Sequence, residues 1–372
     1  MKQLVILFFI FLNFVVFADC STNSIIFYMD QNQQMLKHKI HNLSHFYKMM
    51  NQNKYKKLSA LVASKWGKDN VSLSTKSKFV QYKDNFQQRQ SIDFKKGKIK
   101  LETIVDMNKQ IKAPSFQKNL KIFLNETIEQ ALKNDPLHFN INKYTHNKTT
   151  IQSLAPPQKI IITQKQLKEK IVTIDNKPKK IISVEIPMIS NHLEKRVKLY
   201  LPLVKKYSKK YHLKISYVLG IIHTESYFNP MAISKSQAYG LMQIVPFTGG
   251  IDSYFILYGE KKIPSKEFLL NPKNNIELGT NYLRIIRDKY LPDIKSQKSL
   301  YYCMTIAYNA GISNLYKVFN KRKNKTKALH QINHLKSKEI YYKLTTSNRL
   351  TTEAKHYISS VIRHSDLYKR YD

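Results

Sequence analysis

The order of apolar and polar residues divides the chain into a short apolar leader, a region with strand and helix signals, and a long helical region. Residues 90–94 and 98–102 alternate polar and apolar side chains, and Lys95-Lys96-Gly97 between them predicts the turn of a β-hairpin. Residues 120–132 carry apolar side chains at helical spacing, which predicts a helix that ends before Pro136.

Two further apolar segments, residues 159–163 and 180–187, predict strands, with a turn at Asn176-Lys177-Pro178 between them. The strand and helix signals together predict a small α+β domain, which we place at residues 61–187. From residue 188 to residue 372 the pattern predicts a mainly α domain. Its predicted helices are 191–210, 215–228, 275–290, 299–310, 312–320 and 351–369.

The N-terminal leader has the features of a signal peptide. Lys2 precedes an apolar run at residues 4–17, which is too short to span a membrane but has the usual length of a signal-peptide core. We therefore expect a signal peptide at residues 1–20, a linker or helix at 21–60, and an exported mature chain. A cut after Ala18 would release a soluble periplasmic protein, whereas lipidation of Cys20 would anchor it to the outer membrane facing the periplasm. Asp19 is unusual before a lipidated cysteine, so both alternatives remain open.

Charge and cysteine content narrow the choice of partners. The chain has 63 Lys and Arg against 25 Asp and Glu, a net charge of +38, which favours anionic partners such as cell wall. Nearly all of this excess is Lys, whereas base recognition favours Arg, so we predict no nucleic-acid partner. With only two cysteines and no cluster of metal-ligand residues, the sequence predicts no metal site and no cofactor.

One helix places a carboxylate at the edge of an apolar stripe. Within the predicted helix 215–228, Glu225 follows Ile221 by four residues, and Asn229-Pro230 ends the helix soon afterwards. Burial and the negative end of the helix dipole both favour the protonated carboxyl, the form that can protonate a glycosidic oxygen. From this helix alone, a solvated glutamate at a fraying helix end is an equally good interpretation.

Four motifs in a fixed order resemble those of lytic transglycosylases with a goose-lysozyme-like catalytic (SLT) domain. The motifs are Glu225-Ser226, Gly240-Leu241-Met242-Gln243, Ala307-Tyr308-Asn309, and Glu353 followed four residues later by Tyr357. Residues 90–103, 191–196 and 340–346 resemble the membrane-bound members of that family, so the resemblance extends from about residue 60 to residue 372. Ala310 stands where the family usually has a glycine.

The resemblance implies a lysozyme-like fold and a lyase that acts on the glycan strands of peptidoglycan. It implies that Glu225 acts as both acid and base in cleaving the MurNAc-GlcNAc β-1,4 bond, with the C6 hydroxyl as nucleophile and 1,6-anhydromuramic ends as products, for cell wall turnover. The substrate-binding residues that it implies are Ser226, Met242, Gln243, Tyr308, Asn309, Glu353 and Tyr357.

Two other functions remain open at this point. A lysozyme-like hydrolase on the same fold would need a second carboxylate, and those nearest to Glu225 along the chain, Asp252 and Glu260, lie in no recognised motif. A catalytically dead wall-binding protein would tolerate the loss of Glu225. The choice between cleavage at chain ends and within chains is also open.

Overall fold

The computed structural model describes residue 49 and residues 52–135, 149–260 and 262–372. The predicted signal peptide with Cys20, and most of the predicted linker, lie outside the described residues. The described residues from 52 onward belong to one compact unit.

An antiparallel sheet of five strands forms the centre of the N-terminal region, in the order β1-β2-β3-β5-β4. The strands are β1 Lys78–Lys83, β2 Gln88–Asp93, β3 Lys98–Asp106, β4 Lys168–Ile174 and β5 Lys177–Pro187. Strands β2 and β3 are the predicted hairpin, with Ile92 opposite Ile99, so both apolar side chains point to one face of the sheet.

The structure differs from the sequence predictions at residues 159–163, which form no strand. The side chain of Gln117 binds this segment instead, donating to the carbonyl of Ile160 at 2.5 Å and accepting from the amide of Ile162 at 2.7 Å. Because one side-chain amide satisfies both backbone groups, the segment needs no partner strand. The strand predicted at residues 159–163 is therefore wrong, and the edge strand beside β5 is β4.

Fourteen helices cover most of the remaining described residues. They are α1 52–66, α2 Ala113–Asn125, α3 Ile128–Lys133, α4 Ile151–Leu154, α5 His192–Lys210, α6 Ile215–Ser226, α7 Ile251–Tyr258, α8 Lys266–Leu270, α9 Pro272–Ile285, α10 Gln297–Ala310, α11 Ile312–Phe319, α12 Lys325–His334, α13 Ser337–Thr346 and α14 Thr352–Asp366. An α+β region followed by a mainly helical region confirms the predicted fold class. In the part of the chain that the structure describes, no helix has both the length and the apolar composition needed to cross a membrane.

The predicted helix at 120–132 is two helices, α2 and α3. The hydroxyl of Thr127 accepts a hydrogen bond from the amide of Gln130, and the Gln130 side chain accepts one from the amide of Thr127. This capping box begins a new helix at Ile128, which interrupts an otherwise continuous apolar spacing.

Helix α6 lies at the centre of the helical region, with every residue from Ser216 to Ser226 buried. It crosses α14 closely, since a Cβ atom on Gly220 would lie 2.9 Å from the backbone nitrogen of Ser365. At its first turn, the Asp372 carboxylate accepts hydrogen bonds from the Ser216 amide at 2.8 Å and the Ser216 hydroxyl at 2.6 Å. A carboxylate at a helix N-terminus stabilises the helix through unpaired amides and the dipole.

One apolar core is continuous from the sheet to the C-terminal helices. It includes Phe79 and Ile92 of the sheet as well as Ile222 of α6 and Val361 of α14. A smaller core packs α1 against the opposite face of the sheet, around Trp66. The predicted boundary at residues 187 and 188 therefore falls inside a shared core, and its use as a domain boundary stays a prediction.

Candidate active site

Glu225 occupies the last turn of α6 and is 9% exposed. Burial raises the pKa of its carboxyl to about 7, against a usual 4.5. The Tyr357 hydroxyl and the positive charge of Lys76 lower this pKa, and the negative charge of Glu353 raises it. Desolvation dominates, so the carboxyl holds its proton up to neutral pH.

The chain turns sharply directly after the glutamate. Tyr227 and Phe228 adopt left-handed backbone conformations, with φ of 52° and 60°, and the Tyr227 amide donates to the carbonyl of His223 at 3.1 Å. Helix α6 thus ends at Ser226, two residues earlier than predicted, and Glu225 lies one residue from its end. Few residues besides glycine adopt this conformation readily, so the turn requires support from neighbouring contacts.

Two tyrosines from different helices lie beside Glu225. Tyr308 of α10 donates from its hydroxyl to the carbonyl of Met242 at 2.7 Å. The Tyr357 hydroxyl of α14 is buried and has no hydrogen bond of ordinary geometry within the described residues, although it interacts with the Glu225 carboxyl. Burial, together with the nearby Glu225 charge, raises the pKa of both phenols well above the usual 10, so both remain protonated donors.

The Gly240-Leu241-Met242-Gln243 segment forms a tight loop. Gly240 has φ of 73°, and a Cβ atom there would lie 2.5 Å from the carbonyl oxygen of Leu269, so this position requires glycine. Gln243 donates from Nε2 to the carbonyl of Gly240 at 2.9 Å, while its Oε1 is buried without a hydrogen bond in the described part of the chain.

Asn275 of α9 fixes this loop from beneath. Its Oδ1 accepts from the Met242 amide at 2.7 Å, and its Nδ2 donates to the carbonyls of Tyr239 at 2.8 Å and Leu269 at 2.7 Å. Asn275 is fully buried, so these three bonds form away from water. The sequence analysis did not identify Asn275, because it belongs to no recognised motif.

Two predicted sugar-binding residues lie beneath the surface. The Ser226 hydroxyl is fully buried and contacts the carbonyls of Leu241 at 2.8 Å and Ile222 at 3.1 Å, which joins the end of α6 to the loop. The Met242 side chain is fully buried against Gly279. Their direct contact with a sugar stays a prediction, and their observed contacts support the loop.

The carboxylate that acts on Glu225 is Glu353, rather than the two that are nearest along the chain. Glu353 is exposed in the first turn of α14. Burial raises the pKa values of Tyr282 and Tyr290, and the charge of Asp252 adds to this effect. Glu353, which is 128 positions from Glu225 in the chain, therefore affects the pKa of Glu225, whereas Asp252 acts on other residues. Asn309 is half-buried near the end of α10.

A polar cluster supports α6 on another side. The ring of His223 stacks on that of His364 with centroids 3.8 Å apart, the Tyr368 hydroxyl lies 2.8 Å from Nδ1 of His223, and the Thr224 hydroxyl lies 2.9 Å from Nδ1 of His364. Burial lowers the pKa of His223 to about 3 and that of His364 to about 4, so both are neutral at pH 7. The residues of this cluster that belong to α6 lie about 140 positions from their partners in the chain, so no local pattern predicts the cluster.

Comparisons with known proteins agree on one family. The profile of the Transglycosylase SLT domain matches residues 202–331, and that of the N-terminal domain of membrane-bound lytic murein transglycosylase C matches residues 30–156. The chain is 31% identical over 312 residues to membrane-bound lytic murein transglycosylase C of Actinobacillus succinogenes, covering 82% of this chain and 85% of that protein. It is 33% identical over 313 residues to the protein of the same name in Glaesserella parasuis, covering 82% and 83%.

Among solved structures, the chain is similar to the 70 kDa soluble lytic transglycosylase of Escherichia coli. The identity is 26% and the TM-score 0.36, and the match covers 48% of this chain and 25% of that one. The match thus spans about a quarter of a longer protein.

Proposed function

This chain belongs to the membrane-bound lytic murein transglycosylase C family. We propose that Glu225 acts as both acid and base in the lyase reaction that the chain performs on peptidoglycan. The bond cleaved is the β-1,4 linkage between MurNAc and GlcNAc. The products are a GlcNAc end with a free C4 hydroxyl and a 1,6-anhydromuramic end, and the reaction serves cell wall turnover.

In the first step the protonated carboxyl of Glu225 donates its proton to the glycosidic oxygen as the bond to C1 of the muramic ring breaks. In the second step the Glu225 carboxylate accepts the proton of the C6 hydroxyl while that oxygen forms a bond to C1. The proton lost in the first step is regained in the second, so the enzyme is restored and no water is consumed. A nucleophile within the same ring has a large effective concentration relative to water.

The burial of Glu225 carries this proposal. With its pKa raised to about 7, the carboxyl is a proton donor at neutral pH and a competent base once it is ionised. A fully solvated glutamate would already be ionised at that pH and could not donate.

Two buried polar atoms support a sugar cleft at this place. The Gln243 Oε1 has no hydrogen-bonding partner among the described residues, and the Tyr357 hydroxyl has only its interaction with the Glu225 carboxyl. Buried polar groups without a full set of partners are costly and few in folded proteins, and a bound ligand is one way to complete them. A sugar ring with hydroxyl and acetamido groups can supply both a donor and an acceptor.

The competing reaction is hydrolysis, and Glu353 is the residue on which it would depend. A hydrolase needs a second carboxylate to act as nucleophile or to position water, and the charge of Glu353 reaches Glu225. Glu353 is exposed at a helix N-terminus, which favours a sugar contact at the rim over a role as a buried base.

Digestion of purified sacculi in oxygen-18 water distinguishes the two reactions. We expect muramic ends about 18 mass units lighter than reducing ends, as closure by an internal nucleophile requires, and without heavy oxygen. Mass spectrometry of the released muropeptides measures both properties. Predominantly reducing ends that carry oxygen-18 would refute the lyase mechanism and favour hydrolysis.

We also propose that the mature chain acts beyond the inner membrane, either anchored through a lipid on Cys20 or soluble in the periplasm. The apolar leader supports export, and the names of the membrane-bound relatives support an anchor. Metabolic labelling with a radioactive fatty acid tests the anchor, with Cys20→Ser as the matched control. Unprocessed protein in the cytoplasm would contradict export.

A further inference from the structure

A turn before β1 places a lysine of the N-terminal region where its positive charge lowers the pKa of the Glu225 carboxyl. The turn is closed at its base, where the Thr75 amide donates to the carbonyl of Lys78 at 2.8 Å and the Lys78 amide donates to the Thr75 hydroxyl at 3.1 Å. At its tip, the carbonyl of Ser77 accepts from the amide of Phe94 at 2.9 Å. Lys76 thus has a backbone position fixed by the sheet.

The same turn is attached to the loop that follows Glu225. Asn229, four residues after the glutamate, donates from Nδ2 to the carbonyl of Lys76 at 3.3 Å. Asn229 is fully buried, and its Oδ1 accepts from the Met231 amide at 3.0 Å, so its orientation is fixed. The backbone of Lys76 therefore joins the turn to the loop after Glu225, and its side chain takes no part in that contact.

The Lys76 side chain is exposed, and its charge acts on Glu225. Within the described residues, no carboxylate oxygen pairs with its ammonium at salt-bridge distance. The turn thus holds the Lys76 ammonium near the cleft, and none of the described carboxylates neutralises its charge at salt-bridge distance. An exposed cation in this position is available to an anion on a bound substrate.

We propose that Lys76 binds a carboxylate of the peptide stem carried by the muramic residue at the cleavage site, so that the enzyme favours peptide-bearing strands. This inference rests on the proposed function. The reacting muramic ring carries at C3 a lactyl ether to which the stem peptide is joined, and that peptide has free carboxylates. A charge held near the carboxyl that protonates the glycosidic oxygen at C1 of this ring is therefore within reach of the stem. The N-terminal region thereby contributes to substrate selection.

The test compares two substrates: intact glycan strands, and strands that an amidase has stripped of peptides and whose newly freed lactyl carboxylates have then been capped as neutral amides. For Lys76→Gln we expect KM on peptide-bearing strands to rise about fivefold, the scale of one exposed ion pair, and KM on stripped strands to stay within about twofold of the wild type. Loss of the Lys76 charge also raises the pKa of Glu225, and this effect changes kcat equally on both substrates. Lys76→Arg should restore most of the affinity, since it retains the charge.

Lys109→Gln is the matched control, because Lys109 is an exposed lysine of the same region that follows β3. It should leave KM unchanged on both substrates. An equal change in KM for Lys76→Gln on both substrates, or no change in KM on either, would overturn the inference. A wild-type protein that releases no anhydro product from either substrate would refute the proposed function, and this inference with it.

Discussion

The protonation of Glu225 is decided by the balance between burial and three neighbours of different charge. Desolvation raises the pKa, while the Tyr357 hydroxyl and Lys76 act in the opposite direction. The sequence predicted the burial, because Glu225 lies at helical spacing from Ile221. Tyr357 and Glu353 were reached only through resemblance, and Lys76 was missed, because an electrostatic partner about 150 residues away leaves no pattern in the chain.

Replacement of Glu225 by Gln should reduce activity at least about a hundredfold, since it removes the group that donates the first proton of the mechanism and accepts the second. The same variant should be more stable than the wild type above pH 7 and equal to it near pH 4. The folded carboxyl keeps its proton up to about pH 7, whereas the unfolded chain releases it above about 4.5, so the wild type loses stability as pH rises between these values.

The full difference is on the order of 3 kcal/mol, the equivalent of a shift from 4.5 to about 7. Urea denaturation at pH 4 and pH 8, with activity measured on the same preparations, checks both parts. Glu260→Gln, an exposed glutamate that follows α7, is the control and should change neither. A stability gain of equal size at both pH values would contradict the buried, protonated carboxyl.

Among the elements, the loop at residues 240–243 depends on α9 more than on its own sequence. The side-chain amide of Asn275 satisfies the Met242 amide and the backbone carbonyls of Tyr239 and Leu269. A glycine at 240 permits the turn, but the loop position is set by this buried amide.

We expect Asn275→Ala to lower the free energy of unfolding by about 3 kcal/mol or more, because three buried backbone groups lose their partner. Activity should also fall, since Gln243 and the carbonyl that binds Tyr308 belong to this loop. Chemical denaturation and the initial rate of muropeptide release measure the two effects. Asn274→Ala, the half-buried neighbour, is the matched control, and an Asn275 variant indistinguishable from it would contradict this role.

Local periodicity predicted those elements whose signals are local. The hairpin of β2 and β3 and helices α5, α6, α10, α11 and α14 were located within a few residues. Strand β4 was missed because its residues are mostly exposed and rich in Lys, so it shows little apolar alternation. The segment 159–163 has the apolar content of a strand, but a side chain from α2 occupies its backbone groups.

Across the whole molecule, Arg196 joins the sheet region to the catalytic turn. Its guanidinium is fully buried and donates to the carbonyls of Phe94 at 3.1 Å, Leu154 at 3.1 Å and Tyr227 at 3.3 Å. It also lies 3.0 Å from Nδ1 of His192. Burial lowers its pKa to about 10, which still leaves it charged at neutral pH.

Arg196→Lys should lower both stability and kcat, although the charge is retained. A lysine presents one compact ammonium and cannot reach acceptors spread around a planar guanidinium, so at least one buried carbonyl loses its donor at a cost of about 1–3 kcal/mol. Calorimetry should show a single transition shifted to lower temperature, because the core is shared. Lys198→Ala, on the exposed side of α5, should change little. Two separate transitions in Arg196→Lys would contradict the shared core.

The central helix that carries Glu225 is held by contacts with α14 and with the residues that follow it. Asp372 binds its first turn from 156 positions away, Ser365 packs on Gly220, and Tyr357 stands beside the carboxyl. Such long-range contacts form only after all the partners have been made. A chain interrupted before α14 would therefore lack the contacts that fix the helix carrying Glu225, and its carboxyl would not be held in the buried position that keeps it protonated.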